Sequence, residues 1–218
     1  ELDKINITIE DDISFGPLIF TDKGMKLGLS YSKYTINFTD LFIDEEIKKF
    51  IKNNVHLSGL LTFSKDIITH VVIDEVDKKV DGNKIMSAKA TGQFTLENES
   101  RLYGDFHWGG LSINTTTQNI VVNNIDFSVD QKLQSGNFYQ GNAISTGSGD
   151  FSISAIKVKN SIGNEIFSLN NLLINAMSSV SDNLMEIKVN YSADKLASAG
   201  KQLENANLDI TFTRLNIT

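Results

Sequence analysis

The sequence contains no cysteine, which excludes disulfides, thiolate zinc sites, iron–sulfur clusters and cysteine nucleophiles together. A thiol-free chain suits an oxidising compartment and the cytosol alike, so this absence does not assign a compartment. There is one proline, Pro17, and one tryptophan, Trp108. No apolar run approaches the roughly 18 residues that a membrane-spanning helix needs. Basic residues are the minority charge, 20 Lys and Arg against 27 Asp and Glu, which leaves a net charge of −7. Binding to phosphate backbones depends on Lys and Arg releasing counterions, so nucleic acid is not an expected partner. The same deficit weakens adsorption to anionic lipid headgroups.

What is present favours strands. Hydrophobic residues make up 40% of the 218 residues and charged residues 22%, enough apolar surface to bury a core and too little charge for global disorder. Thirteen Phe, with many Ile and Val, pack best on a pleated surface. Ile5, Ile7 and Ile9 alternate with polar neighbours, the period of a half-buried strand ending near Glu10. Turns are expected at Asp22–Gly24 and Asp81–Asn83, and a phase slip between Tyr31 and Tyr34 predicts a bulge. One segment reads as helix: Asp40 can cap a run in which Phe42, Ile43, Ile47, Phe50 and Ile51 recur at helical spacing.

The second half repeats one theme. Val122, Ile125, Phe127 and Val129, then Ile153, Ile156 and Val158, then Leu169, Leu172 and Ile174 each contain one three-residue step among two-residue steps. Their unequal spacing excludes a leucine-rich repeat, and a bulge at the three-residue step of a curved sheet explains them. Ser145–Gly149 reads as a surface loop, and Ala193–Gln202 as a short helix. The expected fold is mainly β, a large curved antiparallel sheet or a sandwich-like domain. It carries one packed α-helix over residues 40–53 and a short second helix over residues 194–200, in a single domain spanning 1–218.

Chemistry is sparse. His56, His70 and His107 form no metal or catalytic spacing with one another. His70 with Asp74, Glu75 and Asp77 is the nearest to one, but on a strand His70 and Asp74 stand about 13 Å apart. In the segment YGDFHWGGL, alternation places Asp105 and His107 on one face and Phe106 and Trp108 on the other. Asp105 and His107 could serve as a base pair, but no nucleophile elbow accompanies them. The simpler reading is a strand with a buried Trp108, whose replacement by Ala then costs on the order of 3 to 5 kcal/mol.

Glu10–Asp12 and Asp44–Glu46 lack a calcium-loop pattern and read as a solvated turn and a helix start. Gly109–Gly110 and Gly147–Gly149 lack the Lys-Ser/Thr ending of a phosphate loop. Six Asn-x-Ser/Thr triplets, at Asn6, Asn37, Asn98, Asn114, Asn190 and Asn216, barely exceed the roughly four that chance supplies among 22 Asn and 36 Ser plus Thr. No catalytic, cofactor-binding or metal-binding residue is expected, and no cofactor.

Several motifs resemble the bacterial YdgA-like family of envelope proteins of unassigned function. They are ISFGPL near the start, VHLSGLLTF, YGDFHWGGLSI, IFSLNNLLIN and the closing NANLDITFTRLNIT. Phe15 stands where that family commonly has His before Gly-Pro. The resemblance implies a β-rich periplasmic region, longer than this chain, anchored in the inner membrane by an N-terminal helix. The chain starts at Glu1 without an initiator Met, so a signal peptide or anchor upstream is expected. The family supplies no active-site residues.

The expected function is therefore that of a non-catalytic envelope domain, a scaffold or a groove for an apolar ligand such as lipid, with lipid or another envelope protein as partner. The alternative is a surface adhesion or protein-interaction module working through exposed edge strands. An enzyme is the third reading, with Asp105 and His107 as its only pair. Oligomeric state is not legible.

Overall fold

The computed structural model describes residues 7–21, 24–38, 55–80, 82–140 and 142–216. These residues are almost entirely extended. The strands of the first half are β1 (Ile7–Phe15), β2 (Leu18–Thr21), β3 (Gly24–Leu27), β4 (Ser30–Phe38), β5 (Val55–Leu61), β6 (Ile67–Ile73), β7 (Val76–Val80), β8 (Asn83–Ser87) and β9 (Ala90–Glu97). Longer strands follow: β10 (Arg101–Asn114), β11 (Gln118–Ser135), β12 (Ile144–Asn160), β13 (Glu165–Ser181), β14 (Leu184–Ser198) and β15 (Lys201–Asn216). One sheet of 13 strands takes all of them except β2 and β3, which pair with each other.

The sheet is an antiparallel meander. β6 and β7 face β9 and β8 in a single register, because the ladder that ends at Ile73 and Ala90 resumes at Val76 and Ser87 without slipping. In the same way β1 and β4 form the base of one long hairpin whose outer half is β2 and β3. The joint lies at Gly16–Pro17 and Gly28–Leu29, where Gly16 N–H donates to Leu29 O and Gly28 N–H to Pro17 O, both at 3.3 Å. Pro17, without an N–H, fits this break in the ladder.

A line of interruptions crosses the sheet from β10 to β15. The pair that would join Gly109 to Asn124 is skipped, as are those joining Ser154 to Asn171 and Asp194 to Asn205. Asn124, Asn171 and Asn205 have φ of 32°, 49° and 50°, the left-handed region that Asn tolerates better than most residues. One such residue uses up one step of the alternation, so Val122 and Ile125, three apart, stay on the same face. The three-residue steps in the sequence are therefore breaks shared by neighbouring strands.

Several expectations need correction. No α-helix occurs among the described residues, and the helix expected over 40–53 lies outside them. The helix expected over 194–200 is the end of β14 and a turn at Ala199–Gly200. Its Ala, Lys and Leu suit a helix, but Leu196 pairs with both Leu169 and Leu203, and that pairing overrides a propensity worth a few tenths of a kcal/mol per residue. Ser145–Gly149 lies within β12, not in a loop. Its glycines let strands approach: a methyl on Gly147, at φ 146°, would overlap the Asp130 carbonyl oxygen. β1 runs on to Phe15 through Glu10–Asp12, and β4 pairs with β1 through Tyr31 and Tyr34 without a bulge.

Two faces of one sheet and a candidate ligand surface

Cross-strand partners share a face, so the registers assemble each face row by row. One row is polar. It begins with Asp12, Lys33, Ser58, His70 and Gln93 on β1, β4, β5, β6 and β9. It continues through Asp105, Ser128, Asp150, Asn175, Asn190 and Asp209 on β10 to β15. Ser128 Oγ donates to Asp150 Oδ2 at 3.3 Å, Asn175 Nδ2 to Asp150 Oδ1 at 2.7 Å, and Asn190 Nδ2 to Asp209 Oδ1. Side chains that hydrogen-bond along the row hold these strands in register, because a one-residue slip would replace each of them with an apolar neighbour.

The opposite face is apolar. One of its rows runs Leu57, Val71, Gly92, Phe106, Phe127 and Phe151, and then passes through Ile174 and Tyr191 to Leu208. Glycine and phenylalanine are paired across β9 and β10, Gly92 opposite Phe106 and Phe94 opposite Gly104. Each ring covers the bare backbone of its partner glycine, and the Phe94 and Phe127 rings meet at 6.1 Å between centroids. Along β10 and β13 most apolar-face positions are half-buried, while the polar-face positions are mostly exposed. Full burial is rare. Among the described residues only Ile19, Ile85, Ala90 and Leu96 are buried hydrophobics, whereas Leu208 is 57% and Phe212 52% exposed.

His107 and Asp105 share the polar face as alternation requires, but they are not partners. His107 Nδ1 lies 2.6 Å from Asp126 Oδ1, in the facing position on β11, and Asp105 faces Gln93 and Ser128. Both members of the His107–Asp126 pair are more than half exposed, where water screens their charges. The Arg101 guanidinium forks onto Asp130, Nε to Oδ1 at 2.8 Å and Nη2 to Oδ2 at 2.6 Å, and lies over the Tyr103 ring. These hydrogen bonds, joined by the cation's charge, hold the Asp130 carboxyl below its ordinary value of 3.8.

Trp108 lies on the apolar face beside the line of skipped pairs. Its Nε1 donates to Ser87 Oγ at 3.1 Å and to Ala88 O at 3.0 Å, tying β10 to the break between β8 and β9. The ring is half-buried, not buried as expected. Replacing it with Ala should therefore cost about 2 kcal/mol in denaturant melts, below the roughly 3 to 5 of a fully enclosed aromatic. A loss under about 0.5 kcal/mol would show that the ring packs on nothing.

The remaining candidates are dispersed. His70 is in β6, and Asp74 lies beyond its end, where Oδ2 sits 3.0 Å from His56 Nε2. Asp77 is on β7, 3.6 Å from Lys84 Nζ. Among the described residues no three His, Asp or Glu side chains are grouped to hold a metal ion. Asp44–Glu46 lie outside the described residues. Sequence reasoning missed the polar row, whose successive members are 12 to 25 residues apart and become neighbours only through the meander. It also missed the pairing of glycine with phenylalanine, although GQF and YGDF each carry the signal of Gly and Phe alternating on one face.

No curated protein and no solved structure matches the chain. A family model matches it over residues 1–218. The chain thus belongs to a family of bacterial proteins of unknown function, DUF945.

Proposed function

We propose that this domain is a non-catalytic, YdgA-like envelope module that works in the periplasm, anchored to the inner membrane by a segment outside this chain, and that its apolar sheet face shelters lipid acyl chains. The observation that carries this reading is the row from Leu57 to Leu208, which crosses nine strands with half-buried and exposed apolar side chains. Water in contact with such a face costs about 25 cal/mol per Å² of apolar area, and an acyl chain laid along it recovers that energy without needing specific polar contacts. The polar row on the other side keeps the same sheet solvated, so one layer presents a wet face and a dry one. The exposed His107–Asp126 pair fits a structural cross-strand contact better than a base that would need a nearby nucleophile.

Native mass spectrometry of the domain, purified gently from its own envelope, tests the proposal. Reproducible mass above 24.1 kDa that organic extraction removes and that proves to be lipid is the expected result. A clean apo-protein mass would overturn the lipid reading and favour a protein partner.

A further inference from the structure

The outer half of the first hairpin does not continue in the plane of the sheet. β2 and β3 pair only with each other and fold back as a flap over the face that carries the polar row. Between flap and sheet lies a half-open cavity of about 270 Å³, whose lining includes Lys26 on the flap and Tyr31, Leu60, His70 and Val72 on the sheet. Ile19, on β2, is 1% exposed. It sits with Leu60 beside Gly28, where a methyl would come within 2.9 Å of Leu60 Cδ1 and 3.4 Å of Ile19 Cδ1. These contacts fix which side of the flap faces the sheet.

The register then decides what faces out. Leu18 pairs with Leu27 and Phe20 with Met25, so these four share one side of the flap, opposite to Ile19 and Lys26. Leu18 is 55% exposed, Leu27 65%, Phe20 78% and Met25 60%. A hairpin surrounded only by water and its own sheet would bury its richer apolar side, but this one buries the poorer side and presents the richer. Four such side chains offer about 600 Å² at most, at roughly 150 Å² each, short of the roughly 800 Å² that each partner of a stable protein complex buries. A bilayer needs no matching surface, and the flap has little to repel anionic headgroups. The described residues from Phe15 to Leu29 include one Lys and no Asp or Glu, and the intervening Asp22 and Lys23 cancel in charge. Two limits set the depth of contact. Strands of four residues span about 13 Å, and the outer N–H and C=O groups of a lone two-stranded ribbon need water or headgroups, which keeps them out of the hydrocarbon core. That leaves the headgroup–acyl boundary, about 5 to 10 Å down.

We propose that the outer side of the β2–β3 flap docks on a lipid bilayer, dipping Leu18, Phe20, Met25 and Leu27 to the headgroup–acyl boundary. This contact is separate from acyl binding on the apolar rows and does not depend on it. The chain has no cysteine, so a single introduced one can carry an environment-sensitive fluorophore. On Met25→Cys the fluorophore should shift to the blue and brighten at least twofold with vesicles of phosphatidylethanolamine and phosphatidylglycerol. The same label on Thr211→Cys, exposed on the polar face of β15, should not respond. Phe20→Ser combined with Met25→Ser should weaken vesicle binding at least tenfold and leave the thermal melt nearly unchanged, because both side chains are mostly exposed. Four results would overturn the proposal. Equal responses at Met25 and Thr211 would mean adsorption by the whole surface, and a response only from a label on Phe212→Cys would assign the contact to the apolar rows. Silence at Met25 would remove the bilayer as occupant, and dimers in solution that the double serine variant dissociates would give the outer side to a second copy.

Discussion

Gly104→Ala should destabilise the fold by about 3 kcal/mol, while Gly149→Ala, on the same apolar row, should change it by less than about 1. A methyl on Gly104 would overlap the Gln93 carbonyl oxygen and lie 2.7 Å from both Cα and Cδ1 of Phe94. Two of those atoms are backbone, so no rotamer change relieves the clash, and the strands β9 and β10 must separate where they are best ordered by the Phe94 ring. Overpacking of this kind costs about 1 to 3 kcal/mol or more. The reduced freedom of the unfolded chain offsets only about 0.4 to 1 of it. At Gly149 the same methyl meets Ser128 O at an ordinary 3.7 Å. Chemical denaturation of the two variants checks the contrast. Equal stabilities would mean that the Phe94 and Gly104 pairing does not hold in solution.

The second large effect concerns ligand binding. Leu208 and Phe212 lie on the apolar face of β15 and are more than half exposed, so replacing both with Glu removes little packing. It does set two carboxylates in the path of an acyl chain, where desolvating either costs more than the roughly 1.4 kcal/mol that a tenfold change in affinity represents. A loss of at least tenfold in affinity for a fluorescent acyl probe is expected, with the melt nearly unchanged. Thr211→Glu supplies the contrast. It lies between Leu208 and Phe212 on the same strand but shares the polar face with Lys188, and should leave probe affinity within about twofold. Equal losses in both variants would point to charge alone and count against an apolar docking face.

The two experiments address different properties. The glycine contrast asks whether the sheet is held as its registers indicate, and the glutamate contrast asks what its uncovered face is for. A correct sheet with an inert face would leave the scaffold and remove the ligand.

Most of the strands were legible because alternation is local. Val122 to Val129, or Ile153 to Val158, declares its period within a few residues. The positions of the breaks at Asn124, Ser154 and Asn171 were legible too, as three-residue steps, but not their nature: a bulge was expected at each step, whereas the registers resume unshifted on both sides, so neighbouring strands break together. Ala193–Gln202 was misread for the opposite reason: its helical composition is local, but the partners Leu169 and Leu203 that decide its state lie on other strands. Ser145–Gly149 failed in the same way, because glycine for a turn and glycine for close strand approach are identical in sequence.

The candidate site was less accessible still. Asp105 and His107 were correctly placed on one face, yet His107 takes its partner, Asp126, from 19 residues away. The lining of the flap cavity joins Lys26 to His70 across four strands, and no spacing rule spans that distance. By itself the sequence determined composition, charge, the absence of thiol chemistry and which positions along each strand are apolar, all properties of short windows of chain. Only the tertiary structure decided which strands are neighbours, that the polar positions join into one row, and that the first hairpin folds over a cavity. Each of these depends on cross-strand register, and a shift of one residue in any ladder would have exchanged the two faces.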